Sequence, residues 1–382
     1  MDGHFWARDP QDELAWMRRH QPVYWDAAGQ VWGVSRYHDV IAVSKDAPTF
    51  SNVGGIRPDA DPMPHMIDFD DPAHKRRRGL VNKGFTLRRV AAREDRIREI
   101  ARGLIEHNRA KGEFDFVMEL AAWLPLVVIG DMLGIERDHY PKLLEWSDIL
   151  LRGTGGGPEA LVRATQAFVE YSEYQRAVIE DRRAKPPQED LVSILVHAEL
   201  DGERLDDETI LSESLLILIG GDETTRHVIT GGFYQLMRHP EQWRLLAAHP
   251  SKIPTAVEEM LRWVTPIRNM TRHATRDVEL RGQHIRKGQK LLLLYPSANR
   301  DEEVFRDPQR FDVERSPNEH LAFGHAAHFC LGASLARLEL RVMFEELLAH
   351  MPDLRLASDE PPPLRVSNFI TGYEHLPVRV GG

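Results

Sequence analysis

The only cysteine of the 382-residue chain lies in the stretch HLAFGHAAHFCLG, residues 320–332. The following residues, Ala333 to His350, carry leucine and valine at helical spacing, so the sequence predicts a helix that starts just after Cys330. An unpaired thiol in such a position is typical of a metal ligand or a nucleophile. The alternative is a structural cysteine, because free cysteine is among the most buried residue types.

Unpaired N–H groups at a helix start lower the pKa of a thiol and can donate to its sulfur, as a thiolate ligand requires. Five positions resemble the haem-binding loop of the cytochrome P450 superfamily: Phe323, Gly324, His328, Cys330 and Gly332. The resemblance implies that Cys330 is the thiolate ligand of a haem b iron. Ala326 stands where the family usually has glycine, and alanine restricts the loop backbone.

A second motif is LLILIGGDETT, residues 215–225. Its apolar half predicts a helix buried in the centre of the fold, from Asp207 to about Arg238. Its polar half contains poor helix formers, which predicts a local opening or bulge. The segment resembles the oxygen-binding groove of P450 enzymes, which implies that Glu223 and Thr224 are the catalytic acid–alcohol pair for proton delivery and that Gly220 and Gly221 leave room for dioxygen. The alternative is a glycine notch where another helix crosses.

The helix opened by Pro254 carries Glu259 and Arg262 on one face. Such a pair is usually a solvated surface pair. The segment FDVER, residues 311–315, resembles the P450 meander, which implies a buried structural triad of Glu259, Arg262 and Arg315 that supports the cysteine loop.

Haem carries two propionates, which need cations. Asp71 and Pro72 predict a helix N-cap and first helical position, after which His74 and Arg78 fall one turn apart. With Arg272 and His328, they match the propionate-binding positions of the P450 family, whereas each taken alone resembles a surface charge.

The chain has a net charge of −10, which disfavours nucleic acid as a partner. Residues 1–30 are polar, so we expect no membrane anchor and a cytoplasmic location. A single cysteine excludes an internal disulfide. The motifs are spread along the chain and must meet around one cofactor, so we expect residues 1–382 to form a single haem domain.

The coarse pattern predicts a mainly α fold with a small β region, as in the P450 fold, with haem between the central helix and the cysteine-loop helix. Helices are expected over most of Leu87 to Arg238, at Pro254 to Trp263 and at Ala333 to His350. Strands are expected near Val31 to Val34, Val278 to Leu280, Lys290 to Tyr295 and Val378 to Val380.

Further segments look closely like the actinobacterial P450 enzymes that hydroxylate the cholesterol side chain, family 142 above all: residues 51–58, 66–68, 80–86, 128–134 and 215–227. The resemblance implies oxidation of the terminal methyl of a sterol side chain, carbon 26 or 27, and on to the acid. Independently, an apolar substrate channel is expected from Met63, Met66, Ile67, Leu216, Ile219, Val264, Ile267, Phe369 and Ile370, although each is more often plain core. The alternatives are a P450 hydroxylase of a fatty acid, terpenoid or polyketide, and a non-catalytic haem protein.

The chain has no flavin or nicotinamide fingerprint, so a P450 enzyme of this kind needs separate electron donors, here a ferredoxin and its reductase. A basic docking patch is expected on the cysteine face from Lys75, Arg76, Arg77, Arg88, Arg89 and Arg337. The alternative is a solvated, arginine-rich helix face.

Overall fold

The computed structural model describes residues 2–152, 157–200 and 202–381. Within those ranges the α-helices are α1 (Gly3–Ala7), α2 (Gln11–His20), α3 (Tyr37–Lys45), α4 (Ala73–Val81), α5 (Leu87–Ala91), α6 (Glu94–Arg109), α7 (Trp123–Leu133), α8 (Tyr140–Arg152), α9 (Gly157–Ala184), α10 (Leu191–Val196), α11 (Asp207–Arg238), α12 (Pro240–Ala248), α13 (Ile253–Val264), α14 (Tyr295–Ala298) and α15 (Ala333–His350). The strands are β1 (Val23–Asp26), β2 (Val31–Val34), β3 (Phe50–Ser51), β4 (Glu113–Asp115), β5 (Glu199–Leu200), β6 (Glu203–Arg204), β7 (Asn269–Ala274), β8 (Val278–Leu280), β9 (Gln283–Ile285), β10 (Lys290–Leu294), β11 (Leu354–Leu356) and β12 (Pro377–Val380). Short 3₁₀ turns lie at Met66–Asp68, Asn82–Gly84, Arg137–His139, Pro250–Lys252 and Ala326–His328, and a π-helical turn lies at Phe116–Ala121.

The strands form small sheets beside the helices. One sheet has five strands in the order β1-β2-β10-β7-β3, a second has the order β11-β12-β4, and β5-β6 and β8-β9 are separate pairs. Only the β2–β10 pair of the five-stranded sheet is parallel; its other pairs are antiparallel. The prediction of a mainly α fold with a small β region is therefore confirmed.

The local predictions hold where the sequence pattern is strong. Helices α11 and α15 have the expected bounds, and the four expected strands are present, with Tyr295 opening α14 instead of ending β10. Strand β7 was not expected, because its sequence NMTRHA is polar and shows no alternation. It lies between β10 and β3, so neighbours on both sides stabilise it.

The central helix α11 begins with Asp206 as its N-cap, whose carboxylate accepts a hydrogen bond of 2.7 Å from the Thr209 N–H. It is helical without interruption for 32 residues, so the predicted opening or bulge is wrong. The Thr224 hydroxyl donates to the Gly220 carbonyl at 2.8 Å, and the helix accommodates this extra bond within its own turn.

Several glycines of α11 allow other helices to approach closely. A Cβ atom at Gly221 would lie 2.4 Å from Ile129 Cδ1 of α7. At Gly231 it would lie 2.6 Å from Val264 Cγ2, and at Gly232 it would lie 2.7 Å from Met260 Sδ, both on α13. Larger residues would therefore push α7 and α13 away from the central helix.

Two smaller expectations about local structure change. Helix α4 begins at Ala73, so Pro72 is the N-cap residue and not the first helical residue, although the Asp71 carboxylate still accepts a bond of 3.1 Å from the Lys75 N–H. One described helical stretch, Phe116–Leu133, is long and apolar enough to cross a membrane by length and composition, and 72% of it is buried inside the fold. Such burial is what the core helix of a folded domain shows.

Candidate active site

A cavity of about 360 Å³ lies between α11, the loop before α15 and the segment that runs from Asn52 to Asp68. Cys330, Gly220 and Thr224 all line it, so the two strongest sequence motifs meet across one space. The cavity is within the size range of small-molecule sites in proteins.

Cys330 is accessible and lines this cavity. Its N–H donates to the Phe323 carbonyl at 2.8 Å, which closes the loop. Removal of the sulfur from bulk water raises the pKa of the Cys330 thiol, while the Gly332 N–H and the charges of Arg78 and Arg337 act to lower it. The expected influence of the helix start is present, but the removal from bulk water outweighs it.

The loop keeps its turn although it contains alanine where the P450 family has glycine. Ala326 adopts a φ of 59°, in the left-handed region, and Gly324 has a φ of 69°. An L-residue in this region costs about 1–2 kcal/mol relative to the right-handed conformation. Ala326 therefore carries a local cost in backbone energy at this turn.

Four side chains that carry or can carry positive charge gather at the cavity: His74, Arg78, Arg272 and His328. The His74 and His328 rings lie 4.1 Å apart between centroids, and Arg78 donates to the Phe329 carbonyl at 2.5 Å. Burial lowers the pKa of all four, and the neighbouring His74, Arg272 and Arg78 help lower that of His328 to about 3.

This cationic set lacks matching anions. Arg272 is buried and its only hydrogen bond within the described ranges goes to the Thr271 carbonyl at 2.8 Å. His74 lies 3.1 Å from the exposed Asp71 carboxylate, which is the one ion pair that the described residues provide for the set. Buried cations without partners are costly, so the arrangement fits a ligand that brings carboxylates, as haem brings its propionates.

The α11 wall of the cavity contains Gly220, Gly221 and Thr224. A Cβ atom at Gly220 would meet nothing within 4 Å, so Gly220 leaves open space beside the Thr224 hydroxyl. Gly221 also borders the cavity, but its missing side chain makes room for Ile129. Each glycine therefore fits one of the two interpretations of the motif. Gly220 leaves space for a small ligand, and Gly221 allows α7 to cross α11 closely.

Glu223 lies beside Thr224 in sequence but on another face of α11. It is completely buried and is absent from the cavity wall. Its Oε2 accepts a hydrogen bond of 3.0 Å from Arg365 Nη1 and lies 2.9 Å from His227 Nε2, and Oε1 contacts Arg226. The expected acid–alcohol pair is thus split between a charged cluster and the cavity, because neighbouring helical residues point about 100° apart.

The structure brings Glu259, Arg262 and Arg315 together. The Glu259 carboxylate accepts bonds of 2.7 and 2.8 Å from Arg262 and one of 3.1 Å from Arg315 Nε. Glu259 and Arg262 are fully buried. Arg262 and Arg315 also donate to backbone carbonyls of the segment from Asn299 to Arg310, so the triad joins α13 to the chain that leads to the cysteine loop.

Most of the expected substrate channel lines the cavity: Met63, Met66, Ile67, Leu216, Ile219, Ile267, Phe369 and Ile370. Val264 is the exception and the expectation for it was wrong. It ends α13 and packs against Gly231 of α11. Other residues also line the cavity, among them Arg57, His65 and Phe168. They were not predicted, because the sequence around each of them does not distinguish a cavity wall from a loop or a helix face.

The expected docking patch is only partly available. Lys75, Arg76 and Arg88 are exposed, and α5, which carries Arg88, packs against α15. Arg77 is turned inward to Glu213 at 3.3 Å, Arg89 donates to the Glu189 carbonyl, and Arg337 binds Glu258 through two bonds. Arg77, Arg89 and Arg337 are thus engaged in contacts within the fold.

Comparison with known proteins agrees with this geometry. The family model for cytochrome P450 matches residues 158–246 and 253–368. A steroid C26-monooxygenase of Mycobacterium tuberculosis is 49% identical over 99% of this chain and 95% of its own length. A methyl-branched lipid omega-hydroxylase of Mycobacterium bovis is 40% identical over 98% of this chain and 92% of its own length.

A solved structure is also similar over nearly the whole chain. The cytochrome P450 CYP268A2 of Mycobacterium marinum, in complex with pseudoionone, has a TM-score of 0.93 and 33% identity, and the match covers 99% of this chain and 97% of that one. Members of this family use haem with a cysteine thiolate ligand, dioxygen and an electron donor to oxidise a hydrophobic substrate. The chain belongs to the cytochrome P450 family and is a monooxygenase of that family.

Proposed function

We propose that this enzyme hydroxylates the terminal methyl group, carbon 26 or 27, of the side chain of cholesterol or cholest-4-en-3-one and oxidises it onward to the acid. The observation that carries the proposal is 49% identity, over nearly the full chain, to a relative named steroid C26-monooxygenase. The apolar walls that Leu216, Ile219 and Ile267 form beside Thr224 support a long hydrocarbon substrate.

The cofactor in this proposal is haem b, which supplies dioxygen reduction and transfer of an oxygen atom to carbon when bound. Cys330 binds the iron through its sulfur. His74, Arg78, Arg272 and His328 would bind the propionates, which give the two arginines anionic partners and the two histidines hydrogen-bond acceptors. The structural triad of Glu259, Arg262 and Arg315 holds the segment before the cysteine loop, and Phe323, Gly324 and Gly332 complete that loop.

Thr224 is proposed to hold a proton at its hydroxyl, next to the space at Gly220. Because Glu223 is bonded to Arg365 and does not border the cavity, its carboxylate must rotate away from Arg365 before it can exchange a proton with the cavity. In the proposed proton path, the ion pair of Glu223 and Arg365 is therefore the state before proton transfer, and it must open for transfer to occur.

Attack at a terminal methyl, rather than at a weaker tertiary C–H bond, requires that one end of the side chain points at the reacting centre. The walls available for this are Leu216 and Ile219 of α11 and Ile267 after α13. We propose that these residues confine the side chain.

We propose a ferredoxin, served by a ferredoxin reductase, as electron donor. The docking surface in this proposal is formed by the exposed Lys75 on α4 and Arg88 on α5. Helix α4 is joined to the cysteine loop by the bond from Arg78 to the Phe329 carbonyl, and α5 packs against α15. A Lys75→Glu/Arg88→Glu variant should be reduced several-fold more slowly by ferredoxin at low salt, and this difference should shrink as salt screens the charges. An Arg163→Glu/Arg244→Glu variant, with exposed arginines on α9 and α12, is the control; equal slowing of both variants would refute the patch.

We also propose a cytoplasmic enzyme in which residues 1–382 form one haem domain. The support for one domain is that a single cavity takes its lining from Asn52 to Ile370.

Titration of the ferric protein with cholest-4-en-3-one tests the substrate class. A saturable change of the Soret band from low spin to high spin is expected, followed in turnover by products oxidised at carbon 26 or 27 and then by the acid. A thiolate-haem protein that gives no spin change and no product with any sterol would refute the proposal.

A second candidate is omega-hydroxylation of a methyl-branched lipid. It is favoured by the relative of that name at 40% identity, and such a substrate also offers a terminal methyl on an apolar chain. Competition between cholest-4-en-3-one and a methyl-branched fatty acid in one reaction distinguishes the two, because the preferred substrate has the higher kcat/KM.

A further inference from the structure

Arg57 is a cavity residue whose guanidinium stacks on an aromatic ring. It borders the cavity with its group over the Phe369 ring, 5.6 Å from the ring centroid, and the described part of the chain offers it neither a hydrogen bond nor an ion pair. We propose that Arg57 is a specificity-determining residue that donates a hydrogen bond to the oxygen on the ring end of the sterol substrate. This inference rests on the proposed function.

The first support is that the Arg57 donors are available at the cavity wall. A guanidinium has five N–H donors, and the described residues offer those of Arg57 no acceptor. Partial burial lowers the pKa of Arg57, and the charges of Asp59 and Asp68 only partly oppose this effect. A ligand oxygen in the cavity would supply the acceptor, as a ligand with carboxylates does for the cationic set.

The second support is that the backbone around Arg57 is held on both sides. The Thr271 N–H donates to the Ile56 carbonyl at 2.8 Å, and Lys290 Nζ donates to the Pro58 carbonyl at 3.0 Å. The Ile56 N–H donates in turn to Asp68 Oδ1 at 2.9 Å. A side chain on such a fixed segment can select one ligand geometry, because little freedom is lost when the bond forms.

The third support is the charge near Arg57, which favours a neutral oxygen over an anion. Asp59 accepts a bond of 2.8 Å from Asn368, and Asp68 is held by the N–H groups of Ile56 and Met63. Both carboxylates remain close enough to offset much of the arginine charge without pairing to it. The surroundings therefore suit the carbonyl or hydroxyl oxygen of a sterol ring.

Arg57 also has different charged neighbours from the cationic set. The charges that act on His328 are those of His74, Arg272 and Arg78, whereas those that act on Arg57 are Asp59 and Asp68. Phe369, under the Arg57 guanidinium, packs with Ile370, and this apolar cluster extends through Ile267 to Ile219 of α11. A polar contact at one end and apolar walls leading away from it match a sterol, which has one oxygen on its rings and a hydrocarbon side chain.

The test compares two ligands that differ only at the ring oxygen. Spin-state titrations of the holoenzyme would use a saturated C3 ketosteroid, 5α-cholestan-3-one, and 5α-cholestane, which lacks the oxygen. Arg57→Met keeps an apolar stem over Phe369 and removes the donors, so the Kd for the ketone should rise about tenfold while that for the hydrocarbon changes little. Arg57→Lys keeps a charged donor and should fall between the wild type and Arg57→Met.

Phe369→Leu is the matched control for loss of packing and should weaken both ligands to the same degree. Equal weakening of both ligands by Arg57→Met, or no change for either, would overturn the role of Arg57 while sterol binding by the wild type still stood. A wild-type enzyme that binds neither ligand would overturn the proposed function and, with it, this inference.

Discussion

Two clusters of buried charge flank the cysteine loop, and they are built in opposite ways. In the triad, Glu259 meets Arg262 and Arg315 through direct bonds, and the remaining N–H groups reach backbone carbonyls. In the cationic set, the one ion pair among the described residues joins His74 to the exposed Asp71, and Arg272 faces the cavity with a bond only to the Thr271 carbonyl. Charge balance therefore separates a cluster that holds the fold from one that awaits a ligand.

The largest expected effect comes from breaking the balanced cluster. Glu259→Gln leaves two arginine charges without their carboxylate, so the free energy of unfolding should fall by about 3–5 kcal/mol. Denaturant unfolding of the haem-loaded protein measures this. The control is Glu258→Gln, next in sequence but partly exposed and bonded to Arg337 and His320, for which we expect a smaller loss. Equal losses of unfolding free energy in the two variants would contradict the prediction that burial makes the triad more important for stability.

Glu213 is an intermediate case, with one half-buried arginine partner for a fully buried carboxylate. It accepts a bond of 2.9 Å from the Met66 N–H, and Oε2 has no partner within the described residues. Burial raises the pKa of Glu213 from 4.5 to about 7, against the opposing effects of Arg77 and the Met66 N–H. Folded Glu213 therefore keeps a proton that the unfolded chain loses above pH 4.5.

It follows that the contribution of Glu213 to stability falls as pH rises from 4.5 to about 7. The total fall is about 3 kcal/mol or less, since one pKa unit corresponds to about 1.4 kcal/mol. Glu213→Gln should remove this part of the pH dependence, and unfolding free energies of both proteins across that range would measure it. Parallel curves would contradict the assignment.

A third test addresses the unbalanced cluster. Arg272→Met should speed the loss of haem to excess apomyoglobin by about tenfold to a hundredfold, because a charged bond to a propionate is lost. Unfolding of the haem-free protein should show no loss of stability, since Arg272 makes no ion pair with any residue that the structure describes. Arg268→Met is the control. Arg268 is also buried, but it does not line the cavity, and it donates a hydrogen bond of 2.7 Å to the Thr371 hydroxyl. It should leave haem retention unchanged.

The smallest effect on stability is expected at Thr224, although its effect on catalysis is specific. Thr224→Ala should lower the product formed per electron pair by about tenfold, because a proton-carrying hydroxyl beside the cavity is removed. Thr230→Ala deletes the same kind of hydroxyl bond, to the Arg226 carbonyl at 2.9 Å, away from the cavity wall. Comparison of NADH consumed with product formed should separate the two variants. Equal coupling in both would refute the role of Thr224.

Much of the site was predictable because it lies in continuous motifs. The helical spacing after Cys330 predicted α15 to its final residue, and the apolar run from Leu215 marked the central helix. The direction of single side chains was less predictable. Val264 turns to Gly231 and Arg77 turns to Glu213, since each choice depends on a partner distant in sequence.

Local spacing and residue types within short motifs were enough to predict the family, the position of the thiol and the order of the main helices. The packed fold was needed to show that Glu223 faces Arg365, that Arg272 makes no ion pair with the described residues and that Arg57 borders the cavity. A contact across 142 positions, as between Glu223 and Arg365, is selected by packing of the whole core and leaves no periodic trace in the chain.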